Sequence, residues 1–135
     1  MRTKPYHACL GLGANLGDRI ATLRAAVVAL KSTDGIVVER TARVYDTAPI
    51  GPVQPRYLNS AVRVAVSLEP LALLDAILDI ERSHGRDRAR ETRFGPRTLD
   101  LDVLYIVDVE VSHARLTVPH PRLRARAFAL APLLE

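Results

Sequence analysis

Two aspartates, Asp100 and Asp102, stand two residues apart in a segment, Leu99 to Ile106, whose other residues are typical of a β-strand. Side chains of a strand alternate between its two faces, so both carboxylates lie on one face and Leu101 lies on the other. Aspartate is depleted in strands, and neighbouring like charges on one face repel each other. A divalent cation bound by both carboxylates would offset that repulsion.

An arginine-rich segment precedes this strand. Between Gly85 and Thr98 it carries five arginines, Arg86, Arg88, Arg90, Arg93 and Arg97, against Asp87 and Glu91. Carboxylates for a metal beside guanidinium groups for an anion form the arrangement that phosphoryl transfer requires. Mg²⁺ commonly uses one or two carboxylates together with substrate phosphates, so the pattern predicts magnesium arriving with ATP. A solvated strand face and a solvated charged turn are the ordinary alternatives.

The composition indicates one folded domain, residues 1–135. Hydrophobic residues make up 48% and charged residues 25% of the chain, as in ordinary globular proteins. No apolar run approaches the roughly 18 residues of a membrane span, and the first residues lack the apolar core of a signal peptide, so we expect a cytoplasmic location. The lone Cys9 lies in an apolar strand, and we expect a buried structural thiol.

The net charge of +4 favours an anionic partner, while aromatic residues at 4% and the absence of Trp leave few surfaces for stacking nucleic-acid bases. Two other classes of protein would also account for part of the pattern. A nucleic-acid-binding module would explain the arginines but not the paired aspartates. A metal-dependent nuclease would also use paired carboxylates.

Hydrophobic periodicity and turn residues predict a β-α-β-β-α-β order followed by a C-terminal helix. This order is that of a ferredoxin-like α+β fold, an antiparallel sheet with packed helices. The predicted segments are a strand at 6–12, a turn at 13–18, a helix from Asp18 to about Lys31, a β-rich stretch at 36–46, an irregular loop at 47–56, a strand at 57–68, a helix from Pro70 that Gly85 ends, the strand at 99–106, an irregular stretch at 113–121 and a helix at 123–134.

Glu81 and His120 are further candidates. Glu81 follows Ile77 by four residues on the apolar stripe of the second helix, so its carboxylate should be directed toward the sheet, for ligand contact or for an ion pair with an arginine. His120 stands between Pro119 and Pro121 on a stiff backbone near several arginines. This context suits a phosphate contact as well as a structural role.

The glycine-rich segment around Gly11 and Gly13 matches neither the dinucleotide-binding nor the P-loop pattern. It is typical of a strand-to-helix turn, or of a place where the backbone near Asn15 approaches a ligand. The proline-rich loop that begins at Thr47, together with Tyr57 and Asn59, is either an ordinary loop and strand or a pocket for a small planar ligand.

Four segments together carry a resemblance that covers nearly the whole chain: LGLGANLGD (10–18), VYDTAPIGPVQPRYLNSAV (44–62), RFGPRTLDLDVL (93–104) and LTVPHPRLRARAF (116–128). Their order and separation resemble the 6-hydroxymethyl-7,8-dihydropterin pyrophosphokinases, enzymes of folate synthesis. The resemblance implies a ferredoxin-like fold. It also implies transfer of pyrophosphate from ATP to the 6-hydroxymethyl oxygen of the pterin, with release of AMP.

The resemblance further implies roles for individual residues. Asp100 and Asp102 would bind two Mg²⁺ ions with ATP, and Arg86 and Arg97 would act on the transferring group. Asp100 is also our hypothesis for the acceptor of the substrate proton. The ATP contacts would be Glu81, Arg88 (on the loop that closes over the transferring group), Arg115, Thr117, His120 and Arg126; the pterin pocket would be formed by Thr47, Pro49, Ile50, Tyr57, Asn59 and Phe128.

The chain departs from the family pattern at several positions. Ala14, Ala48, Phe94 and Pro121 stand where family members often have Ser, Pro, Trp and an aromatic residue. Phe94 can still stack on a ring, whereas Pro121 cannot. The chain ends at Glu135, where the family usually has a further short segment. We expect a monomer whose partners are ATP and the pterin, with no nucleic acid and no membrane.

Overall fold

The computed structural model describes residues 4–15, 17–47, 56–84 and 99–120, with the side chains of Tyr45, Thr47 and Tyr57 left aside. These residues form two helices and seven strands. In chain order they are β1 (Tyr6–Ala14), α1 (Arg19–Lys31), β2 (Ile36–Thr41), β3 (Tyr45–Thr47), β4 (Tyr57–Val66), α2 (Pro70–Ser83), β5 (Asp100–Ile106), β6 (Val111–Ser112) and β7 (Thr117–Val118).

The main sheet has the strand order β2-β4-β1-β5, with β3 pairing with β4 beyond the end of β2. Every neighbouring pair of strands is antiparallel. The mixed α+β class with an antiparallel sheet and packed helices, which the sequence predicted, is therefore confirmed. The predicted helix at 123–134 lies outside the described residues.

Two details differ from the sequence-based prediction. The first strand continues through Gly13 to Ala14, because the glycines pair with β4 and β5 rather than turning the chain. The stretch 113–121, predicted to be irregular, contains β7, which pairs with β6 as a small hairpin. Strands of two residues are too short for an alternating pattern to reveal them.

One face of the sheet packs against both helices. Leu10 of β1 and Val64 of β4 are fully buried there with Leu30 of α1 and with Leu73 and Ile77 of α2. The strand residues that alternate with these buried positions point to the opposite face of the sheet, which we call the far face. Its members on the three strands β4, β1 and β5 include Asn59, Ala61, Arg63, His7, Cys9, Gly11, Gly13, Asp100 and Asp102.

The helix boundaries follow from local chemistry. The Asp18 carboxylate accepts a hydrogen bond from the Ala21 N–H at 3.1 Å and so caps the first turn of α1. Pro70 occupies the first turn of α2, where the missing N–H has no intrahelical partner to lose. In the described part of the chain, neither helix is long and apolar enough to cross a membrane.

Two glycines with positive φ allow a matched test of the turns. We expect Gly35→Ala to destabilise the protein by more than Gly17→Ala. Both glycines adopt left-handed backbone, φ 87° and 67°, which costs an alanine about 1–2 kcal/mol. Only at Gly35 would the new Cβ also meet a side chain, at 2.8 Å from Cγ of Leu68, whereas described atoms leave the space at Gly17 open. Urea unfolding of both variants measures the difference, and equal losses would contradict the packing argument.

Candidate active site

Asp100 and Asp102 lie on the far face at the beginning of β5. Each is partly exposed, while Leu99, Leu101 and Val103 between and beside them are 0%, 1% and 4% exposed. The alternation predicted from the sequence is therefore confirmed. Burial of the three apolar residues forces both carboxylates onto the opposite face.

A glycine of β1 lies opposite each aspartate. Gly13 pairs with Asp100 on one side and with Asn59 of β4 on the other; Gly11 pairs with Asp102 and with Ala61 in the same way. Because adjacent strands lie about 4.8 Å apart, Asn59 and Asp100 stand two strand spacings apart with no side chain between them. On the far face the Asp100 carboxylate and the Asn59 amide thus flank a glycine, and both Gly13 and Asn59 are buried.

Close packing explains why one of these positions is glycine. A Cβ on Gly11 would lie 3.1 Å from Cδ1 of Leu104, a buried residue that shares the far face with the aspartates. The glycine pattern predicted a turn here, and the place of these glycines beside the aspartates was not predicted. Their spacing of two residues, which puts both on one strand face, was the signal available.

His120 lies beside the aspartate pair. Its backbone N–H donates to the Leu104 carbonyl at 2.9 Å, and its Nε2 is 4.0 Å from Oδ1 of Asp102. The two side chains are 18% and 28% exposed, so both remain accessible to a ligand. The β6–β7 hairpin thus brings His120 to the carboxylates, although 18 residues separate it from Asp102 in the sequence.

Glu81 reaches β5 from the helix-covered face. It is 1% exposed, and its Oε2 accepts a hydrogen bond from the Leu101 N–H at 2.7 Å. The expectation that the end of α2 directs this carboxylate toward the sheet is confirmed. The hydrogen bond is made to the residue between the two aspartates.

Arg115 and Thr117 belong to the segment of the β6–β7 hairpin. Both are exposed, and the Arg115 guanidinium forms a 2.5 Å ion pair with Asp75 of α2. In the structure, therefore, Arg115 contacts α2 instead of the aspartate pair. Its predicted contact with ATP, and that of Thr117, stay predictions.

The remaining predicted site residues are not described. Of Thr47 and Tyr57 only the backbones are described: they pair with each other across β3 and β4, and Tyr57 lies two residues before Asn59 in β4. Those that lie outside the described residues are Pro49, Ile50, Arg86, Arg88, Arg97, Arg126 and Phe128.

A basic pocket of about 700 Å³ occupies the other end of the far face. Arg40, Arg43 and Arg63 line it. Glu39 moderates its charge, since one carboxylate oxygen lies 2.8 Å from His7 Nδ1 and 3.5 Å from Arg63 Nε. No local sequence pattern predicted this pocket, because its arginines come from β2, from the segment after β2 and from β4.

Comparison with known proteins identifies the family. The model of the 7,8-dihydro-6-hydroxymethylpterin-pyrophosphokinase (HPPK) family matches residues 9–135. The chain belongs to this family. The resemblance inferred from the four sequence segments is thereby confirmed, and so is the expectation that the chain is an enzyme of the pyrophosphokinase class.

Three relatives share the name 2-amino-4-hydroxy-6-hydroxymethyldihydropteridine pyrophosphokinase. The protein of Synechocystis sp. is 44% identical over 130 residues, which cover 96% of this chain and 66% of the relative. The Bacillus subtilis protein is 43% identical over 129 residues, covering 95% of this chain and 76% of the relative. The Methylorubrum extorquens protein is 46% identical, covering 95% of this chain and 80% of the relative.

Cys9 lies on the far face between Arg63 and Tyr105. It is partly buried, because odd-numbered residues of β1 point away from the helices, so the buried thiol predicted from the sequence is correct only in part. Burial raises the pKa of the thiol from 9.0 to about 11, and the nearby positive charge of Arg63 offsets part of that rise.

This raised pKa predicts a specific loss of stability at alkaline pH. The unfolded chain releases the thiol proton at lower pH than the folded chain, so the contribution of Cys9 is full below about pH 9 and falls as pH rises toward 11. Relative to wild type, Cys9→Ala should therefore gain stability between pH 8 and pH 10.5 in urea unfolding. Thiolate absorbance at 240 nm with a midpoint near 9 in the folded protein would contradict this prediction.

Proposed function

We propose that this chain transfers pyrophosphate from ATP to the 6-hydroxymethyl oxygen of 7,8-dihydro-6-hydroxymethylpterin and releases AMP. The observation that supports this most is the row Asp100–Gly13–Asn59 across three strands of the far face. Asp100, with Asp102 beside it on the same face, and the Asn59 amide lie on one face of the sheet, two strand spacings apart. The printed names of the relatives, which are pyrophosphokinases of a hydroxymethyldihydropteridine, agree with this reaction.

The aspartate pair fits Mg²⁺. Both groups are oxygen donors on one face, and both are partly exposed. Within the described ranges, no group of three or more His, Cys, Asp and Glu residues lies together, so these residues alone supply no complete protein cage. A donor set of this size suits a cation whose other ligands are phosphate oxygens and water. Bound there, Mg²⁺ would neutralise the charge that develops on the phosphates.

The reaction forms one bond and breaks one bond at the β-phosphorus of ATP. The hydroxymethyl oxygen bonds to that phosphorus, the bond from phosphorus to the bridging oxygen of the α-phosphate breaks, and AMP leaves with that oxygen. The hydroxyl proton must go to a base, and Asp100 is our hypothesis for it. The Asn59 amide, which can both donate and accept, would orient the pterin, while His120 beside Asp102 would contact the phosphates.

Other parts of the sequence-based assignment remain proposals. Arg86 and Arg97 would act on the transferring group, as inferred above. Support for the ferredoxin-like topology comes from the antiparallel order β2-β4-β1-β5 with both helices on one face. A single domain, a monomeric state, a cytoplasmic location and the absence of a nucleic-acid partner are proposed on the sequence arguments alone.

The activity is tested directly by mass detection of AMP. We expect wild type with Mg²⁺ and ATP to release AMP only when hydroxymethyldihydropterin is added. Asp100→Ala should stay folded and lose at least about 100-fold in turnover, because a lost metal contact removes several kcal/mol of transition-state stabilisation.

Asp34→Ala serves as the matched control, since Asp34 is exposed in the turn after α1. Near-normal turnover of Asp100→Ala would exclude Asp100 as a metal ligand. AMP release without pterin would exclude the pterin as the required acceptor of pyrophosphate.

The role of Asp100 as proton acceptor has its own test. Asp100→Asn keeps the shape and one oxygen donor but lowers the basicity of the group. If Asp100 takes the proton, turnover should fall far more than the affinity for Mg-ATP, as steady-state kinetics and calorimetric titration would show. A parallel loss of both quantities would leave Asp100 as a metal ligand only.

A further inference from the structure

We propose that Glu81 is a positioning residue that holds Asp100 and Asp102 in place through the backbone of β5. This inference rests on the proposed role of the aspartate pair, and it differs from the direct ATP contact that the family resemblance implies for Glu81. The proposal starts from an anomaly in α2. The buried stripe of this helix consists of Leu73, Ile77, Ile80 and, at 1% exposure, the carboxylate side chain of Glu81.

Burying a carboxylate is costly unless polar partners compensate it. An apolar residue at this position would complete the stripe without that cost. Glu81 instead accepts the 2.7 Å hydrogen bond from the Leu101 N–H, a buried contact between residues 20 apart in sequence. A distance of 2.7 Å is at the short end of the range for N–H···O hydrogen bonds. The hydrogen bond to the Leu101 N–H therefore accounts for the presence of Glu81 at a buried position.

The edge of the sheet explains why Leu101 needs this acceptor. Among the described strands, β5 pairs only with β1, which leaves its other edge without a neighbouring strand. Backbone N–H groups on such an edge are left without a ladder partner, and a buried one requires an acceptor. At Leu101, which is 1% exposed, Glu81 provides that acceptor.

The place of this hydrogen bond within β5 connects it to the aspartates. Asp100 pairs with Gly13 at the last position of the β1–β5 ladder, where a strand end would otherwise fray. The peptide group that carries the Leu101 N–H is planar and includes the carbonyl of Asp100. Fixing that N–H therefore fixes the backbone of Asp100 from the edge opposite the ladder, and it limits the movement of Asp102 one residue beyond Leu101.

The faces of the sheet separate this role from direct contact with a ligand at the aspartates. The side chain of Leu101 points toward the helices, and Asp100 and Asp102 point to the far face. Glu81 approaches from α2, on the helix-covered side. Its influence on the carboxylates passes through the strand backbone.

Two variants distinguish positioning from contact with ATP. Glu81→Gln keeps an oxygen acceptor of the same shape without the charge, while Glu81→Met fills similar space without any acceptor. We expect the Gln variant to stay within about 3-fold of wild type in kcat. The Met variant should lose at least about 10-fold in kcat and require more Mg²⁺, with a smaller change in KM for ATP, because displaced catalytic groups slow the reaction even when substrate still binds. Asp79→Asn, an exposed carboxylate on the same helix, is the matched control.

Amide hydrogen exchange of Leu101 in the metal-free protein supplies a readout independent of activity. Exchange at this amide should be faster in Glu81→Met and close to wild type in Glu81→Gln. Should the Met variant fail to fold, the Gln variant decides: retained kcat with retained protection supports positioning, and lost kcat with retained protection overturns it.

An increase in KM for ATP in both variants with kcat unchanged would also overturn the proposal, in favour of a direct ATP contact. Wild-type activity of the Glu81→Met variant would likewise overturn the proposal. Failure of the proposed function would appear differently, as absence of AMP release by wild type.

Discussion

The alternation of β5 is the constraint on which the site depends. Leu99, just before the strand, and Leu101 and Val103 within it contribute to the core that the sheet shares with both helices. Packing in such a core is as dense as in an organic crystal and tolerates little displacement. The backbone of the aspartates between them is therefore held in place as well, although the aspartate side chains are partly exposed.

The order of the strands brings the two halves of the site together. Residues near 13, 59 and 100 are far apart in the chain, but β1 lies between β4 and β5 and so joins Asn59 to Asp100 through Gly13. Glycine at position 13 adds no side chain of its own between Asn59 and Asp100, so the two polar groups face each other across the backbone of β1.

Much of this arrangement could be predicted from the sequence. Period-two alternation gave the shared face of Asp100 and Asp102, and the i+4 spacing from Ile77 placed Glu81 toward the sheet. What Glu81 contacts there depended on the edge of β5, a feature of strand order that local periodicity does not contain. The same holds for Gly11 and Gly13, whose neighbours across the ladder are distant in sequence. The ion pair of Arg115 with Asp75 joins residues 40 apart and likewise had no local signal.

The basic pocket at the other end of the far face has a kinetic consequence. Arg40, Arg43 and Arg63 gather positive charge on the same surface as the aspartates, in a chain whose net charge is +4. Such a field attracts anions over roughly the Debye length, about 8 Å at physiological salt, and raises their rate of arrival. Capture of an anionic substrate at this face is therefore governed by ionic strength as well as by shape. Dilute salt should speed the encounter, and concentrated salt should leave it to unassisted diffusion.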